Sequence, residues 1–501
     1  MPKVIFNQME YMAEVGTKIS HLPPYRDLFS LPCGGHGLCG KCKVKATGDL
    51  SPLSENERQR LTSQEIADGV RLACSATIFG DCHVEWYRAS AEHTVRVAGD
   101  MPEVVLAPIF TRYGVAIDIG TTTLAAKLYD ESGNCLAQAT GMNPQSRWGA
   151  DVISRIEAAL SGEGSSIATL TRKAVDDLIY ALSKDAAIDS PKIDGVVITG
   201  NTVMLHLLTE TSVEPLSHAP FRAKRLFGEW LTAEELSLAA LLPTAKIYLP
   251  PCMEAFVGAD ITTALLASEI CGQSDSRLLV DIGTNGEMAL WHDGALYCCS
   301  TAAGPAFEGA GISMGMSGQT GAIDRVQIVN GELYAHVIGE GSPLGICGSG
   351  VIDAVACLLD LEWMDETGYL DDDPVMITSS VSFTQEDVRA VQLAKSAISA
   401  GICTLLAVSD LPIGSLRELI IAGGFGSYLS ILSAIRIGLI PRGLNGRIRV
   451  IGNGALSGAV MLLLSRDLHQ GAEDLAQKAN VVTLSANPVF TRAYMEGMLF
   501  E

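Results

Sequence analysis

The sequence predicts an α/β protein of several domains, in which a small β-rich unit precedes a longer α/β part. With 501 residues, 48% of them hydrophobic, the chain can bury more than one core. Short strand signals and a tight cysteine loop fill the first 90 residues, whereas strand and helix signals alternate beyond residue 112. We therefore predict a β-rich domain at 1–88, a linker at 89–112 and an α/β domain at 113–501, itself built of two halves, 113–275 and 276–501.

The β-rich domain is predicted from three stretches. Residues 3–15 indicate two short strands joined by a polar turn, and residues 43–47 and 82–86 indicate further strands. The tract that follows contains two prolines and sustains neither helical nor strand periodicity, which is typical of a linker.

Charge and hydropathy indicate which partners the protein can bind and in which compartment it is located. The net charge is −22, and residues 101–501 carry almost all of it, with 24 Lys/Arg against 45 Asp/Glu. Such a surface repels nucleic acid and anionic lipid, so we predict neither as a partner. No uncharged apolar run of about 18 residues and no secretory signal is present, and 13 cysteines then indicate reduced thiols. A cytoplasmic location is predicted.

The cysteine loop LPCGGHGLCGKCKV predicts a 2Fe-2S cluster. Its C-x5-C-x2-C spacing places three thiolates on one loop, and a fourth cysteine follows after 31 intervening residues. Glycines at 34, 35, 37 and 40 give the backbone the freedom to wrap the cluster. The predicted ligands are Cys33, Cys39, Cys42 and Cys74.

Alternatives to this ligand set remain open. Four cysteines also suit a structural zinc ion, although zinc sites usually pair their cysteines in two C-x2-C knuckles. Cys82 competes with Cys74 for the fourth position, and His36 is interpreted as a surface residue. Cys298 and Cys299 are interpreted as buried core thiols.

A repeated phrase in the α/β part predicts phosphate binding. DIGTTT at 118–123 and DIGTNG at 281–286 each follow an apolar strand. A turn of this kind presents backbone N–H groups and hydroxyls to a phosphate, and its aspartate can hold Mg²⁺ through water. Each turn alone is better explained as a tight β-hairpin with an aspartate at the strand end. A third glycine turn, AGGFG at 422–426, again follows an apolar strand and suits the adenosine end of a nucleotide.

Both regions resemble known folds. The cysteine spacing is similar to that of 2Fe-2S ferredoxins, which implies a β-grasp domain, and the three turns resemble the actin, chaperone ATPase and sugar kinase (ASKHA) superfamily, which implies two RNase H-like halves. By that resemblance Asp118 and Asp281 are catalytic and organise the metal and the attacking water. It also implies that ATP is held by Gly120, Thr121, Thr122, Thr123, Gly283, Thr284, Asn285, Gly423, Gly424 and Phe425.

The order of phrases over residues 112–501 resembles one family, the reductive activators of corrinoid proteins. The phrases include GNTVMLHLL (200–208), FVGADITTALLA (256–267), GPAFEGAGI (304–312) and GICGSGVIDA (345–354). The resemblance implies an ATP-dependent activator that passes one electron from its cluster to Co(II) corrinoid on the partner protein of a methyltransferase system, restoring Co(I). It also implies a low-potential electron donor and a homodimer.

One departure concerns spacing, since only 43 residues separate Cys74 from Asp118, where some members insert a further domain. Two other functions remain open: a small-molecule kinase with a fused redox module, and an adaptor whose conformation the nucleotide sets. Rossmann and Walker motifs are absent, which argues against NAD, FAD and P-loop chemistry. Within the phrases, Asn201, Glu308, Asp353 and the helix start at 348–350 are either site residues or structural ones.

Overall fold

The computed structural model describes residues 1–6, 9–22, 31, 35, 37, 40, 42–86, 102–339, 341–424, 429–444 and 447–500. The chain divides into two compact units. The first contains residues 1–92 and 144–163, and the second contains 93–143 and 164–501. The segment 144–163, which the sequence assigned to the first half of the α/β domain, therefore groups with the N-terminal unit.

The first unit is built on a mixed sheet of five strands in the order β2-β1-β5-β3-β4. A parallel pair, β1 with β5, joins two antiparallel arrangements. The strands are β1 (Lys3–Phe6), β2 (Met9–Met12), β3 (Lys43–Leu50), β4 (Val70–Leu72) and β5 (Ile78–Trp86).

Two short helices, α1 (Glu55–Arg60) and α2 (Ser63–Ala67), connect β3 to β4. Each begins at a capping box, in which a Ser or Thr and a Glu three residues later satisfy the exposed amides. Glu57 of the first box is fully buried and accepts two hydrogen bonds from Arg71, at 2.8 and 3.1 Å. This pair holds α1 against the start of the segment that leads to Cys74. Residues 144–163 add α3 (Val152–Ala158).

The second unit contains two six-stranded sheets of the same design. Each has a three-stranded antiparallel meander with two parallel strands beside the first strand of the meander, as expected for one structural unit used twice, but the sixth strand differs: β10 pairs antiparallel with β11, whereas β22 pairs with β14. The first sheet, in the order β10-β11-β9-β6-β7-β8, contains β6 (Tyr113–Ile119), β7 (Thr123–Asp130), β8 (Cys135–Met142), β9 (Ile193–Gly200), β10 (Glu229–Thr232) and β11 (Lys246–Leu249). The second, in the order β21-β20-β12-β13-β14-β22, contains β12 (Arg277–Ile282), β13 (Gly286–His292), β14 (Ala295–Thr301), β20 (Glu418–Ala422), β21 (Ile448–Gly452) and β22 (Ala479–Val481).

Smaller sheets and the helices complete this unit. The small sheets contain β15 (Ala322–Val329), β16 (Glu332–Val337) and β17 (Gly345–Ile346), and separately β18 (Val375–Met376) and β19 (Ser382–Phe383). The helices are α4 (Gly164–Asp185), α5 (Thr202–Leu208), α6 (Ala259–Ser268), α7 (Gly348–Asp360), α8 (Gln385–Val408), α9 (Ile431–Arg436), α10 (Gly454–Leu464), α11 (Leu468–Lys478) and α12 (Pro488–Glu496).

Two helices, α6 and α10, join the halves of this unit. They pack closely because Gly458 has no side chain, and a Cβ there would lie 1.9 Å from the carbonyl oxygen of Thr263. Residues 102–112, the described part of the predicted linker, run beside the end of α10, where the amide of Ala107 donates to the carbonyl of Leu464 at 2.9 Å. The contact between α6 and α10 brings both helix starts, and the residues that cap them, to the ends of β6 and β12.

One helix among the described residues, α8, is long and apolar enough to cross a membrane by length and composition. Of its most apolar 18-residue window, 72% is buried inside the protein. Core helices commonly have this character, and α8 packs against β13 and β14.

Candidate nucleotide site and cysteine loop

The repeated phrases occupy equivalent positions in the two large sheets. Asp118 is the second-last residue of β6, and Asp281 is the second-last residue of β12. In register, Asp118 lies between Ala125 and Thr199, whereas Asp281 lies between Glu287 and Ala422. Each aspartate is therefore presented at a strand end, directly before its glycine turn.

The first turn is held closed by backbone and amide contacts. The amide of Gly120 donates to the carbonyl of Thr123 at 2.9 Å, and a Cβ at Gly120 would lie equally close to that oxygen. Asn143 donates its side-chain amide to the Gly120 carbonyl at 2.7 Å. Asn201, which caps α5, donates to the hydroxyl of Thr121 at 3.2 Å. These contacts fix the turn without using the hydroxyl of Thr122.

Glu308 connects this turn to the second one. The hydroxyl of Thr122 donates to one oxygen of the Glu308 carboxylate, and that of Thr284 donates to the other at 2.9 Å. The two hydroxyl oxygens lie 3.5 Å apart. Glu308 ends the short 3₁₀ turn Pro305–Glu308, which has glycines on both sides. The sequence left its role open between a site residue and a turn residue, and the geometry brings it between the two threonines.

The second turn is completed by the glycines that follow β20. The amide of Gly283 donates to the carbonyl of Asn285 at 3.0 Å. Gly423 has a φ of 97°, and a Cβ there would meet the Ile282 carbonyl at 2.6 Å and a carboxylate oxygen of Asp281 at 2.7 Å. Only glycine permits this approach. A Cβ at Gly424 would meet nothing within 4 Å. Phe425 lies outside the described residues.

Carboxylates surround the ends of β6 and β12. Burial raises the pKa of Asp118 to about 6, a rise that the amide of Asn453, donating at 2.9 Å, partly offsets. Burial, followed by the charges of Asp260, Asp118 and Glu308, raises the pKa of Asp281 to about 8. Mutual repulsion of this kind is relieved when a cation enters the group.

Two members of this acidic group, Asp260 and Glu287, were not predicted. Burial and the charge of Asp118 raise the pKa of Asp260 to about 7, and burial with the charges of Asp260 and Asp281 raises the pKa of Glu287 well above its usual range. Asp260 lies in the first turn of α6, and Glu287 is a buried residue of β13. An acid within an apolar strand, and an acid after the glycine that starts a helix, were the available signals.

The acidic group is not a direct metal-binding shell. Across the described ranges, no group of three or more His, Cys, Asp or Glu side chains is arranged to hold a metal ion directly. The group instead suits a hydrated divalent cation, which carboxylates bind through water. Magnesium in phosphate sites usually keeps several water ligands.

Two other predicted positions are structural. A Cβ at Gly350 would lie 2.3 Å from the Ile323 carbonyl, and the hydroxyl of Ser349 donates to the Asp324 carbonyl at 2.8 Å. Asp353 accepts from the hydroxyl of Ser433 at 2.6 Å, which ties α7 to the start of α9. Of the alternatives left open for 348–350, tight packing is the one that these contacts support.

The cysteine loop is described in part. Cys33, Cys39 and His36 lie outside the described residues, but the Sγ atoms of Cys42 and Cys74 are 3.2 Å apart and buried. Two thiolates on one tetrahedral metal, at a metal–sulfur distance of about 2.3 Å, lie about 3.8 Å apart. A small side-chain adjustment therefore allows both to bind one metal ion. Gly35, Gly37 and Gly40 all have positive φ, as a tight loop requires.

Cys82, the competitor for the fourth position, is in a different environment. Its side chain is buried on β5, and burial with the charges of Asp81 and Asp49 raises its pKa to about 11. A metal ligand must be a thiolate, so this thiol is poorly suited to the role. The pair of Cys42 and Cys74 fits a cluster better.

Two protein-family models match most of the chain. The model described as the RACo middle region matches residues 113–273, and the model described as the C-terminal domain of RACo, the ASKHA domain, matches residues 275–501. The predicted ASKHA fold is thereby confirmed for residues 275–501.

Curated relatives and a solved structure agree with these matches. The corrinoid activation enzyme RamQ of Eubacterium limosum is 36% identical over 419 residues, covering 77% of this chain and 70% of the relative. The [Co(II) methylated amine-specific corrinoid protein] reductase of Methanosarcina barkeri is 26% identical over 416 residues, covering 76% of each chain. The solved structure of a reductive activator for corrinoid, iron-sulfur protein superposes with a TM-score of 0.72 at 27% identity, covering 100% of this chain and 98% of the other.

Proposed function

Since the chain belongs to the RACo family of reductive activators of corrinoid proteins, we propose that it is an ATP-dependent activator that transfers one electron to Co(II) corrinoid on a partner protein, restoring Co(I) for methyl transfer. The observation that carries this proposal is the bridge that Glu308 makes between Thr122 and Thr284. It brings a phosphate-type turn from each half of the second unit to one point.

The threonines and glycine turns bind the nucleotide in this proposal. Thr122 and Thr284 lie one in each half, and a phosphate chain that enters between the turns takes their hydroxyl hydrogen bonds in place of the Glu308 carboxylate. Binding and hydrolysis of ATP then change how the halves are held, because the shared ligand changes its length and charge. Gly120, Thr121, Thr123, Gly283 and Asn285 shape the two turns, and in this proposal the adenosine end is bound by Gly423, Gly424 and Phe425, the last of which is outside the described residues.

Asp118 and Asp281 divide the catalytic work. Asp118, with a pKa of about 6, is largely ionised at neutral pH and can accept a proton from the attacking water. Asp281, with a pKa of about 8, ionises when a cation relieves the repulsion from its acidic neighbours. Asp281, beside Asp118, is the carboxylate that would hold hydrated Mg²⁺, which would supply positive charge for the developing phosphate.

The cysteine loop holds the electron carrier in this proposal. Cys33, Cys39, Cys42 and Cys74 are the ligands of a 2Fe-2S cluster, which supplies one electron at a potential near −400 mV. The buried Cys42 and Cys74 are already placed side by side, and Gly35 and Gly37 let the loop wrap around them. A ferredoxin-type N-terminal domain, a low-potential donor, a homodimer and a cytoplasmic location complete the proposal.

The test is a reconstituted assay that follows Co(I) in the visible spectrum. The full chain, loaded with iron and sulfide, is mixed with a low-potential reductant, MgATP and a panel of Co(II) corrinoid proteins. We expect ATP-dependent Co(I) with at least one panel member. Glu308→Gln leaves one threonine without its carboxylate partner and should lower the rate about tenfold, because it breaks the bridge between the two turns. The matched control is Glu234→Gln on the exposed surface.

Cluster ligation is tested in the same assay by two serine variants. Cys74→Ser should abolish the visible absorption of the cluster and the formation of Co(I), whereas Cys82→Ser should retain both. Failure of every panel member to give ATP-dependent Co(I) would contradict the proposed function. Transfer of the γ-phosphate to a small molecule in place of Co(I) formation would favour a kinase.

A further inference from the structure

An exposed basic segment interrupts the acidic surface of the second unit. Residues 218–230, here called the basic strip, contain Arg222, Lys224 and Arg225 against a single acid, Glu229, in a chain of net charge −22. Arg225 pairs with Glu229, but neither Arg222 nor Lys224 forms an ion pair with any residue that the structure describes. Two exposed cations are therefore available to an outside partner.

Apolar side chains lie among these cations. Phe221, Leu226 and Trp230 are 37%, 41% and 46% exposed. Cations interspersed with exposed aromatic rings are the composition of protein interfaces, where arginine and the aromatics are enriched. A purely solvated charged face would not expose this much aromatic surface.

The backbone of the basic strip is fixed by hydrogen bonds and holds strained conformations. The carbonyl of Leu226 accepts from the amide of Cys252 at 2.7 Å, and the amide of Gly228 donates to the Leu249 carbonyl at 3.0 Å. Phe221 and Phe227 have φ values of 40° and 59°, which side-chain-bearing residues rarely adopt. Strain of this kind persists only where surrounding structure imposes it, and it concentrates at functional surfaces.

Helix α5 connects the basic strip to the first phosphate turn. At one end Asn201 caps the helix and donates to Thr121. At the other, the buried His206 accepts from the amide of Arg225 at 3.3 Å, because its Nδ1 is committed to the Thr202 carbonyl at 2.7 Å. A movement of the basic strip therefore shifts this helix of seven residues, and with it the contact between Asn201 and Thr121 in the nucleotide site.

A second connection runs through the segment before α6. The ring of Phe256 packs edge-on against that of Phe221, with centroids 5.6 Å apart. Two residues later a Cβ at Gly258 would lie 2.5 Å from the Cα of Asn201, and Asp260 of the acidic group follows. Phe221 contacts Phe256, and Gly258 contacts Asn201. A displacement of Phe221 therefore moves the segment that lies beside Asn201 and leads to Asp260.

We propose that the basic strip is the docking surface for an acidic patch on the corrinoid protein, and that docking there stimulates ATP hydrolysis; this rests on the proposed function above. A second copy of the chain is a poor occupant, because a two-fold contact centred on the basic strip would bring Arg222 and Lys224 close to the same cations of the other copy, and the rest of that copy's contact would have to supply the acids. A uniformly anionic polymer is also disfavoured, since the rest of the chain repels it. An acidic patch on a globular protein satisfies both conditions.

The test compares two variants with the same change of charge. R222E/K224E reverses the unpaired cations of the basic strip, and K184E/R492E reverses two exposed cations elsewhere on the second unit. Binding of Co(II) corrinoid proteins from the panel and their stimulation of ATPase activity are measured at low and high ionic strength. We expect R222E/K224E to raise the concentration for half-maximal binding about tenfold or more, with unchanged basal ATPase activity. The control should remain within about twofold of the unaltered protein.

The outcomes separate the two proposals. If Co(I) forms and R222E/K224E binds and is stimulated like the control, the docking proposal is wrong and the proposed function stands. If a corrinoid protein binds through the basic strip but no Co(I) appears, the proposed function fails alone. If no panel protein binds the unaltered chain, both fail. A change of oligomeric state in R222E/K224E, seen by sedimentation, would assign the basic strip to a second copy and overturn the proposal.

Discussion

The two phosphate turns of the second unit share one backbone design but differ in the chemistry around their aspartates. Asp118 has Ala125 and Thr199 as strand neighbours and accepts an amide from Asn453. Asp281 has an acid, Glu287, as one strand neighbour and no such amide contact within the described chain. The pKa of the first aspartate is raised to about 6 and that of the second to about 8.

This difference shows how a duplicated unit can acquire two roles without a change of backbone. One aspartate is placed where its charge is tolerated, and the other is placed where its charge requires a counter-ion. The first suits a proton acceptor and the second a ligand for hydrated metal. Opposite pKa environments for paired acids are a recurrent way of assigning catalytic roles.

The largest expected effect comes from replacing each aspartate by asparagine. Asp118→Asn should lower kcat for ATP hydrolysis about 10²- to 10⁴-fold, since it removes the proton acceptor, with little change in the Mg²⁺ concentration for half-maximal rate. Asp281→Asn should raise that Mg²⁺ concentration about tenfold or more, because it removes a carboxylate that ionises with the cation. ATPase rates at a series of Mg²⁺ concentrations measure both effects.

Asp177→Asn on the exposed face of α4 is the control for these variants, and it should behave like the unaltered protein. Identical kcat and Mg²⁺ profiles for the two active-site variants would show that the turns are equivalent, against the division of roles.

Much of this site was predicted from the sequence because its components are local. An apolar strand, an aspartate and a Gly-Thr turn form one continuous phrase, so Asp118 and Asp281 were found at both positions. The Glu308 bridge depends on a turn reached only through tertiary folding, and the sequence could only name it among alternatives. Asp260 and Asn453 were missed because the close contact at Gly458 brings the starts of α6 and α10 to the aspartates.

The N-terminal region shows the same limit. The strand segments at 3–15 and 82–86 were identified from their short apolar patterns, and the structure has strands there. Residues 144–163 join the first unit, although their sequence carries no signal of that association. Chain order predicts domain membership only where no segment crosses between units. The predicted domain bounds and the ligand role of Cys33 and Cys39 stay predictions.

An effect of intermediate size is expected on the way in which the stability of the protein depends on pH. Both aspartates bind protons more tightly in the folded than in the unfolded chain, so their own contribution to stability is greatest at low pH and falls as pH rises. The fall due to Asp118 is complete near pH 6, whereas that due to Asp281 continues to about pH 8. Between pH 6.5 and 8, Asp281→Asn should therefore flatten the decline in Tm of the Mg²⁺-free protein more than Asp118→Asn, which only removes one of the charges that raise the pKa of Asp281.

Thermal melts followed by circular dichroism at half-unit pH steps measure this decline. Addition of Mg²⁺ and a non-hydrolysable ATP analogue should raise Tm most at the upper end of the range, where the acids are ionised. A decline equally steep in both variants would remove the distinction between the two aspartates.

The smallest effect is expected from replacing Asn453. This residue makes the site of Asp118 more favourable to an ionised carboxylate than the site of Asp281. Its amide stabilises the ionised carboxylate, while its side-chain oxygen caps α10 by accepting from the amide of Leu456 at 2.8 Å. Asn453→Ser retains a capping oxygen and loses the amide. The pKa of Asp118 should then rise, and the acid limb of the ATPase pH profile should move upward by about 0.5 to 1 unit.

Asn201→Ser provides the matched control, because Asn201 also caps a helix and donates its amide, but to the hydroxyl of Thr121 instead of a carboxylate. It should leave the acid limb in place while costing a comparable amount of stability. If both serine variants shift the acid limb equally, the shift reports loosened helix starts, and Asn453 has no special effect on Asp118. If only Asn453→Ser shifts it, the difference between the two turns originates in a residue supplied by the opposite half of the unit.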